Sequence, residues 1–298
     1  MKKFWMLMLV TSFLLVASGS YAQFVYFDLN TLGISGNDDG VTGYHEQWGF
    51  YAKSENTVNL GIDGQFSVGD TFTNIGMLKV GSLLDFNGGA ISDDEGLNTN
   101  YELTTAWTDL SGSVTAVTPI LASPYTEYVT LSYDPGTVLT FYIDDTPDFD
   151  SSHDWSSGFT NFSSATDGIP ILDFTITGGT GSILQEDTNN DGFPDRVITS
   201  SATLYGEVTQ VYVDNFLFFK DYGDFYDILQ QGKIILAFAD ENADNFYYNL
   251  DNYPPYVKTV ADHNGSIDYA IPEPATIILV GSALLGIATV IRRKTANN

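Results

Sequence analysis

Alternation of apolar and polar residues with a period of two, broken at short intervals by turn-forming clusters, restricts this chain more than any other feature. In residues 171–177, Leu172, Phe174 and Ile176 point one way while Asp173, Thr175 and Thr177 point the other. Residues 101–107 and 127–133 repeat the pattern, with Tyr101, Leu103 and Trp107 on one face and Val129, Leu131 and Tyr133 on another. A strand buried on one face has this period, and a helix cannot. Residues 138–143 and 233–238 are more continuously apolar and read as central strands. Further strands are expected at 25–29, 48–52, 57–62, 72–80, 113–118, 197–205, 208–213 and 245–250. Between the runs lie clusters such as Asn37-Asp38-Asp39-Gly40 and Asn87-Gly88-Gly89, which favour turns. Residues 224–229 suit a single helical turn, and no long amphipathic helix is present. The expectation is an all-β protein, an antiparallel β-sandwich with a jelly roll as one form of it. A constant internal period, which would indicate a propeller or β-helix, is missing.

Both ends differ from this interior. Residues 1–22 begin with Met1-Lys2-Lys3, continue through an apolar run and end in Ser20-Tyr21-Ala22. Small residues at the −3 and −1 positions, Ser20 and Ala22, predict a secretory signal cleaved between Ala22 and Gln23. At the other end, Pro272-Glu273-Pro274 precedes residues 275–291, which carry no charge, and Arg292-Arg293-Lys294 follows. Seventeen uncharged residues are just enough to cross a bilayer, with the basic tail left in the cytoplasm. The expected organisation is a signal peptide (1–22), an exported β-sandwich region of one or two sandwiches (23–260), a linker (261–271) and a C-terminal signal (272–298). Any division into two sandwiches falls near residue 120.

The exported region holds 6 of the 11 basic and 37 of the 38 acidic side chains, a formal charge of −31. Phosphate repels such a surface, so nucleic acid is not an expected partner. The absence of cysteine excludes thiol catalysis, thiolate metal sites and disulfides. His45, His153 and His263 form no HExxH pattern, and there is no GxSxG, GxGxxG or P-loop motif. No catalytic residues are assigned, and the expectation is a protein that is not an enzyme.

The C-terminal order of Pro-Glu-Pro, glycine-containing apolar helix and basic tail resembles a PEP-CTERM sorting signal. The resemblance rests on Pro272, Glu273, Pro274, Arg292, Arg293 and Lys294 and covers about the last 27 residues. It implies recognition by an exosortase, removal of the tail, and export to the surface or extracellular polymer of a Gram-negative bacterium. Membrane contact then runs only through the C-terminal helix before processing. The Asp/Gly-punctuated texture around 139–145 and 178–184 is similar to that of flocculation-associated PEP-CTERM proteins.

Asp187, Asn189 and Asp191 alternate ahead of Gly192, and Asp195 offers a further oxygen. An all-oxygen set with a glycine at the sharp turn suits a hard cation, so Ca²⁺ is expected as a structural ion. The fragment resembles the DxDxDG loops of EF-hand, dockerin and thrombospondin type 3 modules. It lacks the EF-hand's final acid, because Ile198 stands there. A polar hairpin without an ion is the competing reading. A second acidic group, Asp144, Asp145, Asp148, Asp150 and Asp154, reads as a solvated turn, as do Asp224, Asp227, Asp240, Glu241 and Asp244. Tyr222, Phe225, Tyr226, Tyr247, Tyr248, Tyr253 and Tyr256 lie near Asp and Asn and can stack on sugars, or serve as core. The functional expectation is a non-enzymatic surface or matrix protein of exopolysaccharide, biofilm or floc. A carbohydrate-binding module with a defined glycan site is the first alternative. A secreted glycoside hydrolase or lyase, needing two convergent carboxylates, is the second.

Overall fold

The computed structural model describes residues 23–271 apart from 35, 61–64, 93–94, 123–124, 155, 189–195, 232–233 and 252–255. Eight antiparallel positions make one continuous sheet: β2 (Gln47–Asn59), β3 (Thr71–Leu84), β4 (Glu102–Ala122), the pair β5 (Tyr125–Tyr133) and β6 (Val138–Asp144), β9 (Ile169–Asp187), β10 (Arg196–Val211), β13 (Ile235–Asp251) and β14 (Tyr256–Ala270). The strands β5 and β6 lie end to end, each bonded to β4 on one side and β9 on the other. The break between them contains Pro135, which has no N–H to give, and Gly136 at φ +118°. The all-β, antiparallel, sheet-on-sheet expectation holds. Hydrogen bonding also continues round both edges, because β10 pairs with β9 and β13, and β14 pairs with β13 and β2. The result is a closed barrel. Neighbouring positions are successive in the chain, so the connectivity is a meander and not the Greek keys of a jelly roll.

Two sequence expectations about boundaries are corrected. Residues 261–270 are not a linker: they belong to β14 and are bonded on both sides. Ala261, Ile267 and Tyr269 are buried, while Asp262 and Asp268 lie between them on the other face. Nor does the chain divide near residue 120, where β4 runs unbroken through the single sheet. Pairs of expected strands also merge: 48–52 with 57–62 in β2, and 197–205 with 208–213 in β10. The helical turn expected at 224–229 is the helix Phe225–Gln231.

Inward residues of the ring form two apolar layers. The larger holds Trp48, Phe50, Leu103, Phe141, Phe174, Leu236, Phe238 and Ile267; the smaller holds Val58, Phe72, Val114 and Val129, with Phe66 of the β2–β3 connection packed among them. Burying each of the larger side chains contributes about 1.5–3 kcal/mol. Glycines make room for the rings. A Cβ on Gly206 would sit 2.4 Å from Phe174 Cζ, and one on Gly265 would sit 2.9 Å from Phe50 Cζ.

The strand pairing sorts the connections between two ends. The connections from β2 to β3, β4 to β5, β9 to β10 and β13 to β14 fall at one end, the hairpin end. The longer segments 23–46, 85–101, 145–168 and 212–234 gather at the other. This loop-bearing end carries β1 (Val25–Phe27), β11 (Leu217–Phe219) and β12 (Gly223–Asp224), which form a small sheet of their own. Two short strands, β7 (His153–Asp154) and β8 (Gly158–Phe159), lie within 145–168.

Candidate functional site

The small sheet has two unlike faces. Val25, Phe27, Leu217 and Phe219 point inward and are at most 2% exposed. Phe27 packs against Trp48 and Phe216, and Phe219 stacks on Phe225 with ring centres 4.2 Å apart. Alternation therefore turns Phe24, Tyr26 and Phe218 outward. Tyr26 and Phe218 are direct cross-strand partners, and their rings stack at 5.0 Å with planes 8° apart. Tyr44 meets Tyr26 edge-on at 5.3 Å. The Lys220 ammonium lies 4.6 Å from the Tyr44 ring centre and 5.2 Å from that of Phe24. Phe24 is 39% exposed and Tyr44 50%, so the patch is open to solvent. Burial, with Tyr44 and nearby Asp28 and Asp224, pushes the Tyr26 hydroxyl above its ordinary pKa, leaving it a neutral donor.

His45 latches this sheet to the barrel. Its backbone bridges Val25 in both directions, at 2.7 and 3.0 Å. Its ring is fully buried, with Nδ1 donating to Gly43 O at 3.0 Å and Nε2 accepting from Trp48 Nε1 at 2.9 Å. Burial drives its pKa down to about 4.

A second cluster lies at the same end. Glu102, Asp144 and Asp148 each bring one carboxylate oxygen within 4.8 Å of the others. Glu102 is 1% exposed and accepts from the N–H groups of Asp148 and Phe149, both at 3.1 Å. Burial raises its pKa, and desolvation followed by Asp167, Asp144 and Asp150 raises that of Asp148. Acids held up in this way are functional-site candidates. Here Glu102 is committed to folding segment 145–168 against the barrel. That segment is pinned further by Lys79 over Phe149, by Thr104 Oγ1 donating to Ala165 O, and by His153 Nε2 to Glu55 Oε2 at 2.8 Å. Lys258 also reaches Glu55, at 2.9 Å. The remaining acids of this group act locally: Ser152 donates to Asp150, Ser156 donates to Asp154, and Asp145 is exposed.

Between the two apolar layers the barrel interior is polar. Ser54 Oγ lies 2.7 Å from His263 Nε2, Asn74 donates to Asn56 at 2.6 Å, and Trp107 Nε1 donates to Asn74. Two cavities of about 70 and 40 Å³ meet at Tyr133, Ala202 and His263. They have room for a few waters and not for a sugar ring. A glycan would therefore have to be taken from outside.

Residues 270–294 match the family model of the PEP-CTERM protein-sorting motif. The chain carries a PEP-CTERM sorting signal. Such signals are processed by exosortase, so the protein is exported, is processed at the cell envelope, and has an exosortase as its processing partner. No curated protein matches the chain. The signal's Pro272, Glu273, Pro274, Arg292, Arg293 and Lys294, like Ala22 at the expected cleavage point, lie outside the described residues. Ala270 ends β14, and Ile271 packs on the larger apolar layer, so the PEP-CTERM signal leaves the fold at the loop-bearing end.

The other site residues expected from sequence fare differently. Asp187 ends β9 and is buried at the hairpin end; Asn189, Asp191 and Asp195 lie outside the described residues. Of the aromatics proposed for sugar stacking, Tyr222 and Tyr226 are exposed, but Phe225 is fully buried against Phe219 and Tyr269. The side chains of Tyr247, Tyr248, Tyr253 and Tyr256 are outside the described set. Asp224 is likewise buried, not solvated, and its carboxylate accepts from Tyr226 N at the start of the helix. Sequence reasoning missed Phe24, Tyr26, Tyr44 and Phe218. The available signal was the run Phe24-Val25-Tyr26-Phe27, with large apolar residues at both odd and even positions.

Proposed function

We propose that the exported barrel is a non-enzymatic surface or matrix protein that associates with extracellular polysaccharide. The observation that carries this reading is the open aromatic patch of Phe24, Tyr26, Tyr44 and Phe218 beside Lys220. Aromatic faces cover the C–H side of a pyranose, and neighbouring hydroxyl and ammonium groups bond its rim. The same feature favours the narrower reading of a defined glycan site over that of a passive matrix filler. Catalysis gains no such support: of the clustered acids, Glu102 is buried and its Oε1 accepts from the backbone N–H groups of Asp148 and Phe149. A structural Ca²⁺ on Asp187, Asn189, Asp191 and Asp195 belongs to the proposal. The buried Asp187 stands where that loop begins.

Glycan-array binding of residues 23–271 tests the reading, with Tyr44→Ala and Phe24→Ala as partners. Loss of one stacking ring should weaken binding ~10-fold, the equivalent of ~1.4 kcal/mol. Binding that survives both substitutions would place the glycan elsewhere. No binding to any glycan would remove the reading.

A further inference from the structure

We infer that, while the C-terminal tail is attached, the loop-bearing end of the barrel rests on the bilayer surface with its aromatic patch at the headgroup level, and that removal of the tail uncovers the patch. The argument begins with strand count. Eight antiparallel positions return the chain to the end at which it entered, so β2 starts and β14 finishes side by side, with Gln47 paired to Asp268. The patch sits at this same end. Its supporting strand β11 stacks Phe219 on Phe225, and Phe225 touches Tyr269 near the close of β14.

The tether is short. Only Pro272, Glu273 and Pro274 separate Ile271 from the uncharged run 275–291. Four residue steps span at most ~14 Å fully extended. The hairpin end lies a whole strand away, and the 13 residues of β2 rise about 44 Å along the strand. A tether of that reach cannot turn the barrel over, so the surface nearest the membrane is the loop-bearing one. What the patch offers suits the interface: half-open tyrosine and phenylalanine rings and one lysine, the residue types that sit at the headgroup level. The excess of acid in residues 23–271 opposes anionic lipid, so the occupant is a zwitterionic surface.

The test uses the full chain in phosphatidylcholine nanodiscs, with and without a long Gly/Ser spacer inserted between Ile271 and Pro272. Nitration by tetranitromethane is followed at Tyr44 and at Tyr128, which is 40% exposed toward the hairpin end. Without the spacer, Tyr44 should react roughly fivefold more slowly than with it, the ratio between half exposure and the ~10% of a covered side chain. Tyr128 should react equally in both. Equal reaction of Tyr44 in both chains overturns the inference. So does slow reaction in both, which would mean that the patch is covered by something other than the tethered membrane, and so does failure of the full chain to enter the disc. The glycan reading is tested on residues 23–271 free in solution, so neither failure implies the other.

Discussion

Acidification should loosen the small sheet of β1, β11 and β12 through His45, and the size of the effect follows from its surroundings. The ring is fully buried, and both nitrogens are engaged as a neutral imidazole requires: Nδ1–H donates to Gly43 O, and Nε2 accepts from Trp48 Nε1. A second proton would set two N–H groups against each other in a dry site. Burial accordingly lowers the pKa from 6.5 to about 4. In the unfolded chain the imidazole is free to take its proton. Between those two values the unfolded state binds more protons than the folded one, so stability falls as pH falls. From about pH 7.5 to about pH 5 the linkage relation gives a loss of ~2 kcal/mol, or ~4–8 °C in Tm for a domain of this size. Other groups act in the opposite sense. Burial raises Glu102, Asp224 and Asp268, which take up protons more readily when folded, and acid also relieves the repulsion among carboxylates. The comparison that isolates His45 is therefore with His45→Gln, whose amide oxygen can still accept from Trp48 but cannot titrate. The wild type should lose ~2 kcal/mol more than the variant over this range in urea melts at matched ionic strength. Parallel pH profiles for the two proteins would refute the argument.

Two further outcomes concern processing and calcium. Intact-mass measurement of protein from its native host should give a chain beginning at Gln23 and lacking residues 275–298; a mass that includes the tail would mean a permanent anchor. Calcium at tenfold its Kd should raise the melting temperature by ~3–6 °C, from ~1.4 kcal/mol of binding to the folded state alone. Asp187→Ala with Asp191→Ala should abolish most of that rise. An equal rise in both proteins would locate the ion elsewhere, and none in either would leave an ordinary turn.

Strand positions were legible in the sequence wherever one face of a strand is apolar, as at Leu172, Phe174 and Ile176. They were not legible where the barrel is polar on both faces. Lys53-Ser54-Glu55-Asn56 reads as a turn yet is the middle of β2, because its inward Ser54 belongs to the polar layer around His263 while Lys53 and Glu55 pair with Asp262 and Lys258 outside. Residues 262–266 of β14 read as part of a linker for the same reason, and 178–182 of β9 look like a turn although every one of them is strand. Closure was invisible because it depends on β14 meeting β2 across most of the chain. The aromatic patch was hidden differently. Its rings come from residues 24, 26, 44 and 218, and period two cannot say which face of Phe24-Val25-Tyr26-Phe27 is covered when both are apolar.

Closure also bears on how such a protein joins a matrix. An exported chain without cysteine has no disulfide to lock its fold, and an open sheet edge would invite pairing with any strand nearby. Each of the eight positions is bonded on both sides over part of its length, and among the described residues 114–122 of β4, 196–201 of β10 and 242–251 of β13 are bonded on one side alone. The acidic surface adds repulsion between copies. Strand addition between copies is thereby confined to those stretches and opposed by charge. Association through side chains has a surface of its own. On this barrel the open aromatic rings and their lysine are gathered at the loop-bearing end, from which the sorting tail also departs.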